Sequence, residues 1–241
     1  MFQGTVSWFT STLMSRVSDR MATYLVTGAN RGIGLEYCRQ LQQRGDTVIA
    51  VCRSSAEALD ALGVQVETGV DITSADSVAQ LAQKLQDTRL DVLINNAAIV
   101  ERISLANLDF ESIRRQFEVN AIGTLRLTHA LLPQIVSGGK VIIMTSRMGS
   151  IADNTSGGSY GYRMSKVAVS MAGKSLAIDL KPQNIAVAIL HPGLVSTRMT
   201  GFTTNGITPA ESVKGLLARI DDLTLENTGS FWHSNGEILP W

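Results

Sequence analysis

Short apolar runs alternate along this chain with segments whose apolar residues recur at helical spacing. The runs TYLVT (23–27), DTVIAV (46–51), VQVET (64–68), DVLINNA (91–97), KVIIMTS (140–146) and NIAVAILHP (184–192) are expected strands, and GSFWH (229–233) an edge strand. Between them, IGLEYCRQLQQR (33–44) puts Leu35, Cys38 and Leu41 on one side of a helix. SSAEALDAL (54–62) carries helix formers, and TSADSVAQLAQKLQD (73–87) is a capped amphipathic helix with Val78, Leu81 and Leu85 in phase. Long helices are expected over 109–136 and 160–180. The segment 208–223 opens with Thr208 as cap, Pro209 in the first turn and Glu211 three residues on.

Strands separated by helices imply right-handed βαβ crossovers. The expected fold is therefore α/β: a single-domain Rossmann fold with a doubly wound, mostly parallel sheet of about seven strands, covered on both faces. Ligands of such sheets bind outside the carboxyl ends of the strands. The chain of 241 residues, 44% hydrophobic, has enough apolar content for one sizeable core. No internal repeat or linker divides it, so one domain is drawn over 21–241.

Residues 1–20, MFQGTVSWFTSTLMSRVSDR, stand apart. They lack a basic start and an uninterrupted apolar run, so they make a poor signal peptide and are too polar to span a membrane. They are read as an extension, with Met21 as an alternative start. Arg16 and Arg20 against the single acid Asp19 leave a weaker organellar-targeting reading open.

Charge narrows the partners. The formal net charge is zero and Lys and Arg are scattered, which argues against nucleic acid and anionic membranes. The two cysteines, Cys38 and Cys52, form no CxxC, and there are three histidines. No metal site or disulfide framework is expected, and a cytoplasmic location suits the chain.

Candidate chemistry begins at Thr27-Gly28-Ala29-Asn30-Arg31-Gly32-Ile33-Gly34, between the first strand and first helix. Gly28 permits a sharp turn, Gly32 close approach of backbone N–H groups to phosphate, and Gly34 close helix–sheet packing. The spacing is G-x-x-x-G-x-G rather than G-x-G-x-x-G. After the second strand, where an acid would accept from a ribose 2′-hydroxyl, the chain reads Val51-Cys52-Arg53-Ser54. Arg53, with Arg31, offers donors to a 2′-phosphate, so NADP(H) is the expected cofactor. Asp71 either accepts from the adenine amino group or caps the next helix. Asn95, Asn96 and Ala97 end the fourth strand, where small residues let the adenine-side ribose lie close, or where the two Asn side chains simply bond the strand end.

Tyr162 and Lys166 are four apart on an expected helix and share a face. A nearby ammonium favours the phenolate, so the pair suits proton transfer. Ser146, at the end of the fifth strand, is placed to hold a carbonyl oxygen. Asn120 lies mid-helix, where Asn is mildly unfavourable; it holds either a proton-relaying water or an interhelix hydrogen bond.

TGANRGIG, VCRS, Asp71, NNAA, Asn120, Ser146 with Gly149, YRMSK and HPGLVST occur in one order. Over residues 22 to 241 the chain resembles the short-chain dehydrogenase/reductase family. YRMSK and the closing GEILPW resemble the carbonyl reductases grouped with the C-factor and sniffer proteins. The resemblance implies that Asn120, Ser146, Tyr162 and Lys166 are catalytic. It implies cofactor contacts from Gly28, Asn30, Arg31, Gly32, Ile33, Gly34, Arg53, Asp71, Ile72, Asn96, Ala97, Tyr162, Lys166, Pro192, Gly193, Val195 and Thr197. The implied activity is NADPH-dependent reduction of an aldehyde, ketone or dicarbonyl. The alternative is an NADP(H)-binding signalling protein of C-factor type with little turnover. The resemblance also implies a homodimer or homotetramer built on the two helices that carry Asn120 and Tyr162.

Three departures from the family pattern stand out. Ala98 replaces a usual glycine, Arg147 to Gly161 is longer than usual, and the lid from Arg198 to Thr208 is short.

Overall fold

The computed structural model describes residues 21–241. The extension 1–20 and its readings lie outside the described residues. Seven strands form one sheet: β1 (Thr23–Thr27), β2 (Thr47–Val51), β3 (Gln65–Glu67), β4 (Leu90–Asn95), β5 (Ile135–Met144), β6 (Ala186–His191) and β7 (Phe231–His233). Their order is β3-β2-β1-β4-β5-β6-β7. Every neighbouring pair is parallel, β7 included. The sheet is thus wholly parallel among the described residues, where a mostly parallel one was expected.

The central strands β1, β4 and β6 and the second half of β5 are largely apolar because both faces of the sheet are covered. Neighbouring residues point to opposite faces, so each strand feeds two cores. Leu25, Ile49, Leu93, Val141, Ile143, Val187 and Ile189 face one side. There they meet Val78 and Leu81 of α3 (Ala75–Lys84), Leu127 and Leu131 of α5 (Thr124–Leu131), and Val169 and Leu176 of α6 (Tyr160–Asp179). Val26, Val48, Ala50, Ile94, Ile142, Ala188 and Leu190 face the other side, against Tyr37, Cys38 and Leu41 of α1 (Gly32–Gln43) and Val213, Leu216 and Ile220 of α7 (Pro209–Asp221). The α7 start carries the expected capping box, with Thr208 and Glu211 bonded reciprocally.

Two expected helices differ. The 54–62 segment reduces to one short helix, α2 (Glu57–Asp60), because only Leu59 of it finds a buried place. The helix expected over 109–136 is α4 (Phe110–Phe117), a π-helical turn (Glu118–Gly123) and α5, followed by a 3₁₀ turn at Leu132–Gln134. Pro133 lacks the N–H that would continue the helix. The chain then joins β5 five residues earlier than expected. Ile135 pairs with Leu90, and the register shifts before Lys140 pairs with Val92. Gly138, at φ +86°, accommodates this irregularity.

Candidate active site at the strand ends

Where the apolar strands run out, polar groups begin. Thr27, Asn95, Thr145 and Ser146 are all buried at carboxyl ends of β1, β4 and β5 or just beyond them. Thr27 Oγ1 accepts from the backbone N–H of both Asn96 and Ala97 at 3.0 Å. Asn96 Nδ2 donates to the Thr27 carbonyl at 2.8 Å and, more weakly, to that of Gly28 at 3.4 Å. The end of β4 is therefore bolted to the glycine turn. Asn95 points away from that turn and donates to Thr128 Oγ1 of α5 at 3.0 Å. In the sequence Thr27 headed the glycine motif without a role of its own; a hydroxyl residue directly before Gly28 was the only signal for it.

Gly28 and Gly32 have φ of +65° and +56°, the left-handed region that glycine enters without strain. Gly34 is needed for space: an added Cβ would lie 2.7 Å from Asn96 Nδ2 and 2.8 Å from the Gly28 carbonyl carbon. The turn delivers the backbone to the N-terminus of α1, where N–H groups are free for an anion. Asn30 Nδ2 donates to the Ser54 carbonyl at 2.8 Å. That bond joins the loop carrying Arg31 to the loop carrying Arg53. Both arginines are exposed, and no carboxylate stands in VCRS. A cradle that needs glycine, a helix N-terminus and two exposed arginines in turns that hold no acid of their own match the chemistry of a dinucleotide's phosphates.

Asp71 follows β3. Its Oδ1 accepts from Thr73 N at 2.9 Å and from Thr73 Oγ1 at 2.7 Å. Those bonds, with Arg53 and Arg126 nearby, hold its carboxyl below the usual range. Ile72 is buried in the core, and its carbonyl accepts from Arg126. Ile33 packs against the α1 side of the core. On the far side of the strand ends, Gly193 turns at φ +86° and Val195 bridges to Ile207. The Pro192 carbonyl accepts from Ser212 Oγ at 2.7 Å. A Cβ on Gly32 would lie 3.6 Å from the Thr197 methyl carbon, so the glycine turn and the 192–197 loop face each other.

Ser146, Tyr162 and Lys166 come together at the carboxyl end of β5. Ser146 Oγ accepts from Met148 N at 3.1 Å, which fixes its rotamer at the first turn after β5. Tyr162 is 8% exposed, and burial pushes its phenol up to about 12, with a hydrogen bond to Ser146 working against that rise. Lys166 is 2% exposed; burial brings its ammonium down to about 8. Its Nζ lies 5.7 Å from the centre of the Tyr162 ring and donates to the Met144 carbonyl at 2.9 Å. The sequence led us to expect a phenol lowered by the ammonium. In the protein chain alone, desolvation outweighs it, because Lys166 is held against β5 rather than on the phenol oxygen.

Asn120 sits within the π-helical turn, which widens the helix by one residue. Its Oδ1 accepts from Ile99 N at 2.8 Å. Its Nδ2 donates to the Ile99 carbonyl at 2.9 Å and to Ser165 Oγ of α6 at 3.0 Å. The side chain thus pins the loop after β4 and also makes the interhelix bond. A further cluster went unseen in the sequence. His191, at the end of β6, stacks edge-on to His233 of β7 with ring centres 4.9 Å apart. Arg147, beside Ser146, pairs with Glu237 at 2.9 Å and lies 3.6 Å from Asp153.

The sequence profile of the short chain dehydrogenase family matches residues 22–207. The chain belongs to the short-chain dehydrogenase family. It is 43% identical over 226 residues to a 1-hydroxy-2-glutathionyl-2-methyl-3-butene dehydrogenase of Rhodococcus sp. (strain AD45), covering 92% of this chain and all of the relative. It is 44% identical over 155 residues to the C-signal protein of Myxococcus xanthus, covering 63% of this chain and 93% of that one. Among solved structures, NADPH-bound carbonyl reductase from chicken fatty liver superposes with a TM-score of 0.85 at 28% identity. Carbonyl reductase Sniffer of D. melanogaster superposes with a TM-score of 0.83 at 27% identity. Each match spans 92% of this chain and all of the other. The chain is thus an oxidoreductase of the short-chain dehydrogenase family, of the C-factor and sniffer type, with the seven-stranded parallel sheet of its structural neighbours. Among the described residues no helix is long and apolar enough to cross a membrane.

Proposed function

We propose that this protein is an NADPH-dependent reductase of aldehydes, ketones or dicarbonyls, with Tyr162 as general acid. The observation that carries the proposal is the meeting of Ser146, Tyr162 and Lys166 at the carboxyl end of β5, in a sheet whose first strand ends in a glycine-rich turn. When bound, the reduced nicotinamide supplies the hydride. The chain's own residues then handle the proton. Burial keeps Tyr162 protonated at neutral pH, the state a proton donor needs. Ser146 lies beside that phenol and would offer its hydroxyl to the same carbonyl oxygen. Lys166, largely charged near pH 7, would stabilise the phenolate left behind and bond the nicotinamide ribose.

Arg31 and Arg53, on loops tied by the Asn30–Ser54 bond, support a 2′-phosphate and hence NADP(H) over NAD(H). The NADPH carried by the chicken carbonyl reductase points the same way. Gly28, Gly32 and Gly34 would cradle the pyrophosphate. Asn96, Ala97, Asp71 and Ile72 would border the adenosine half, and Pro192, Gly193, Val195 and Thr197 the nicotinamide. Asn120 acts by holding the loop after β4. Ile122, Leu125, Met164 and Met171 expose 43–65% of their surface on the helices around Asn120 and Tyr162, and supply the apolar face of a homo-oligomer. A monomer mass by light scattering would refute that part.

Purified protein with NADPH and a panel of ketones, aldehydes and dicarbonyls tests the function, with the bulky thioether alcohol and carbonyl pair suggested by the Rhodococcus relative included. Turnover is expected with NADPH, little with NADH and none in Tyr162→Phe. The match to C-signal favours a second reading, signalling with little turnover. Tight NADPH binding without any reacting substrate, and a biological effect that survives Tyr162→Phe, would decide for it.

A further inference from the structure

One side chain next to Tyr162 has no part in the proton transfer. Arg163 Nε donates to the Gly157 carbonyl at 3.1 Å and Nη2 to Ser156 Oγ at 2.8 Å. Nη1 donates to the Met148 carbonyl at 3.4 Å. These acceptors lie towards both ends of the segment 147–159, which leaves Ser146 and returns to the start of α6. None of the three carries a charge, so the guanidinium serves as a planar three-way fork rather than half of an ion pair.

The start of the segment is anchored by the Arg147 ion pairs, by Met148 N on Ser146 Oγ and by the buried Gly149 and Ser150, whereas its outer part has few ties to the rest of the fold. Ile151, Ala152 and residues 154–157 are exposed, and an added Cβ on Gly157 or Gly158 would meet nothing within 4 Å. Its path is unfavourable as well: Gly157, Gly158 and Ser159 are left-handed in succession, at φ +62°, +64° and +48°. For Ser159 that conformation is strained, and such strain persists only where surrounding bonds enforce it. The bonds in question are Ser159 N to the Ile103 carbonyl at 2.8 Å and the Arg163 fork. At the outer turn, Ala152 N donates to the Trp241 carbonyl at 3.0 Å.

We propose that Arg163 is a positioning residue that holds the segment 147–159 closed beside Ser146 and Tyr162, and thereby sets how bulky a substrate the site admits. The kinetic half of this rests on the reductase reading; the structural half does not. Lysine keeps the charge but cannot span three acceptors in one plane, so Arg163→Lys should recover only part of the effect.

The test compares the full-length protein with Arg163→Met, which keeps an apolar stem, and Arg163→Lys. Three readouts are taken: KM and kcat for butane-2,3-dione and for a bulky aryl ketone, NADPH affinity by fluorescence, and thermolysin cleavage within 151–158. In Arg163→Met, KM for the small dicarbonyl should rise about tenfold, by more than kcat falls. The ratio of kcat/KM should shift towards the bulky ketone, cleavage should quicken about tenfold, NADPH affinity should stay within twofold, and lysine should fall between. Unchanged cleavage with unchanged KM would overturn the proposal, as would loss of NADPH affinity in step with KM. If the parent protein turns over no carbonyl, the reductase reading fails by itself, and the cleavage comparison still decides whether Arg163 holds the segment. If Arg163→Met does not fold, Arg163→Lys and Ser156→Ala carry the same comparison.

Discussion

Gly34→Ala puts the β1–α1 junction to a quantitative test. Gly34 lies in the first turn of α1 and is not among the residues with positive φ, so the backbone itself accepts alanine. Helix propensity would even favour the change by about 1 kcal/mol. The obstacle is contact. The new Cβ would stand 2.7 Å from Asn96 Nδ2 and 2.8 Å from the Gly28 carbonyl carbon, where ordinary contact is 3.4–4 Å. The helix must withdraw from the turn, and the Asn96 Nδ2 bond to the Thr27 carbonyl is the first to go. Overpacking of about 1–3 kcal/mol plus about 1 kcal/mol for the bond, less the propensity gain of about 1 kcal/mol, leaves roughly 1–3 kcal/mol of destabilisation. Gly45→Ala is the control: φ is +87° and nothing lies within 4 Å, so its cost is backbone strain alone, about 1–2 kcal/mol. Urea unfolding followed by far-UV circular dichroism measures both, and NADPH titration follows the turn. Gly34→Ala should weaken NADPH binding at least tenfold and Gly45→Ala should leave it alone. If Gly34→Ala cost no more than Gly45→Ala and bound NADPH like the parent, the close-packing argument would be wrong.

Three further outcomes are expected. Arg53→Ser should weaken NADPH binding by roughly ten- to a hundredfold and leave NADH binding unchanged in parallel titrations; equal weakening would remove the 2′-phosphate assignment. Asn120→Ala strips bonds from Ile99 N, the Ile99 carbonyl and Ser165, all beside a side chain 1% exposed, and should cost about 2–4 kcal/mol in urea unfolding. An activity loss with full stability would instead assign Asn120 to the chemistry alone. His191 is held neutral, its pKa down to about 3, first by burial and then by His233 and Arg147. The unfolded chain therefore binds more protons than the folded one between about pH 6.5 and pH 3, and stability drains away as pH falls through that window. His191→Gln should shrink the loss between pH 7 and pH 4 by about 3 kcal/mol; an unaltered pH profile would show that His191 carries no such share.

The sheet was legible because strands buried on both faces read as unbroken apolar runs, and the glycine turn because left-handed φ and close approach demand one residue type. Less was visible where tertiary packing chose between local options. THALLPQIVSGG carries helix-like apolar spacing up to Ile135, yet the chain pairs with β4 there, since Leu90 needed a partner and Pro133 had already stopped the helix. Residues 54–62 have helix-forming composition but bury little, so a single turn survives. In the site, residue types and order pointed to Ser146, Tyr162 and Lys166. The direction of the Tyr162 shift did not follow from them, because it depends on where Lys166 Nζ is spent. The His191–His233–Arg147–Glu237 cluster joins residues far apart in sequence, and no local spacing announces it.

The π-helical turn at Glu118–Gly123 has a consequence for insertions and deletions. The π turn holds one residue more than an α turn, so removing the exposed Ile122 would return the helix to ordinary pitch with the downstream residues still in phase. Leu127 and Leu131 would keep the core, and the loss would fall on the widened turn that carries Asn120 to Ile99 and Ser165. The wide turn absorbs one extra residue without disturbing the helix on either side, and that residue serves the placing of Asn120 rather than the packing of the core.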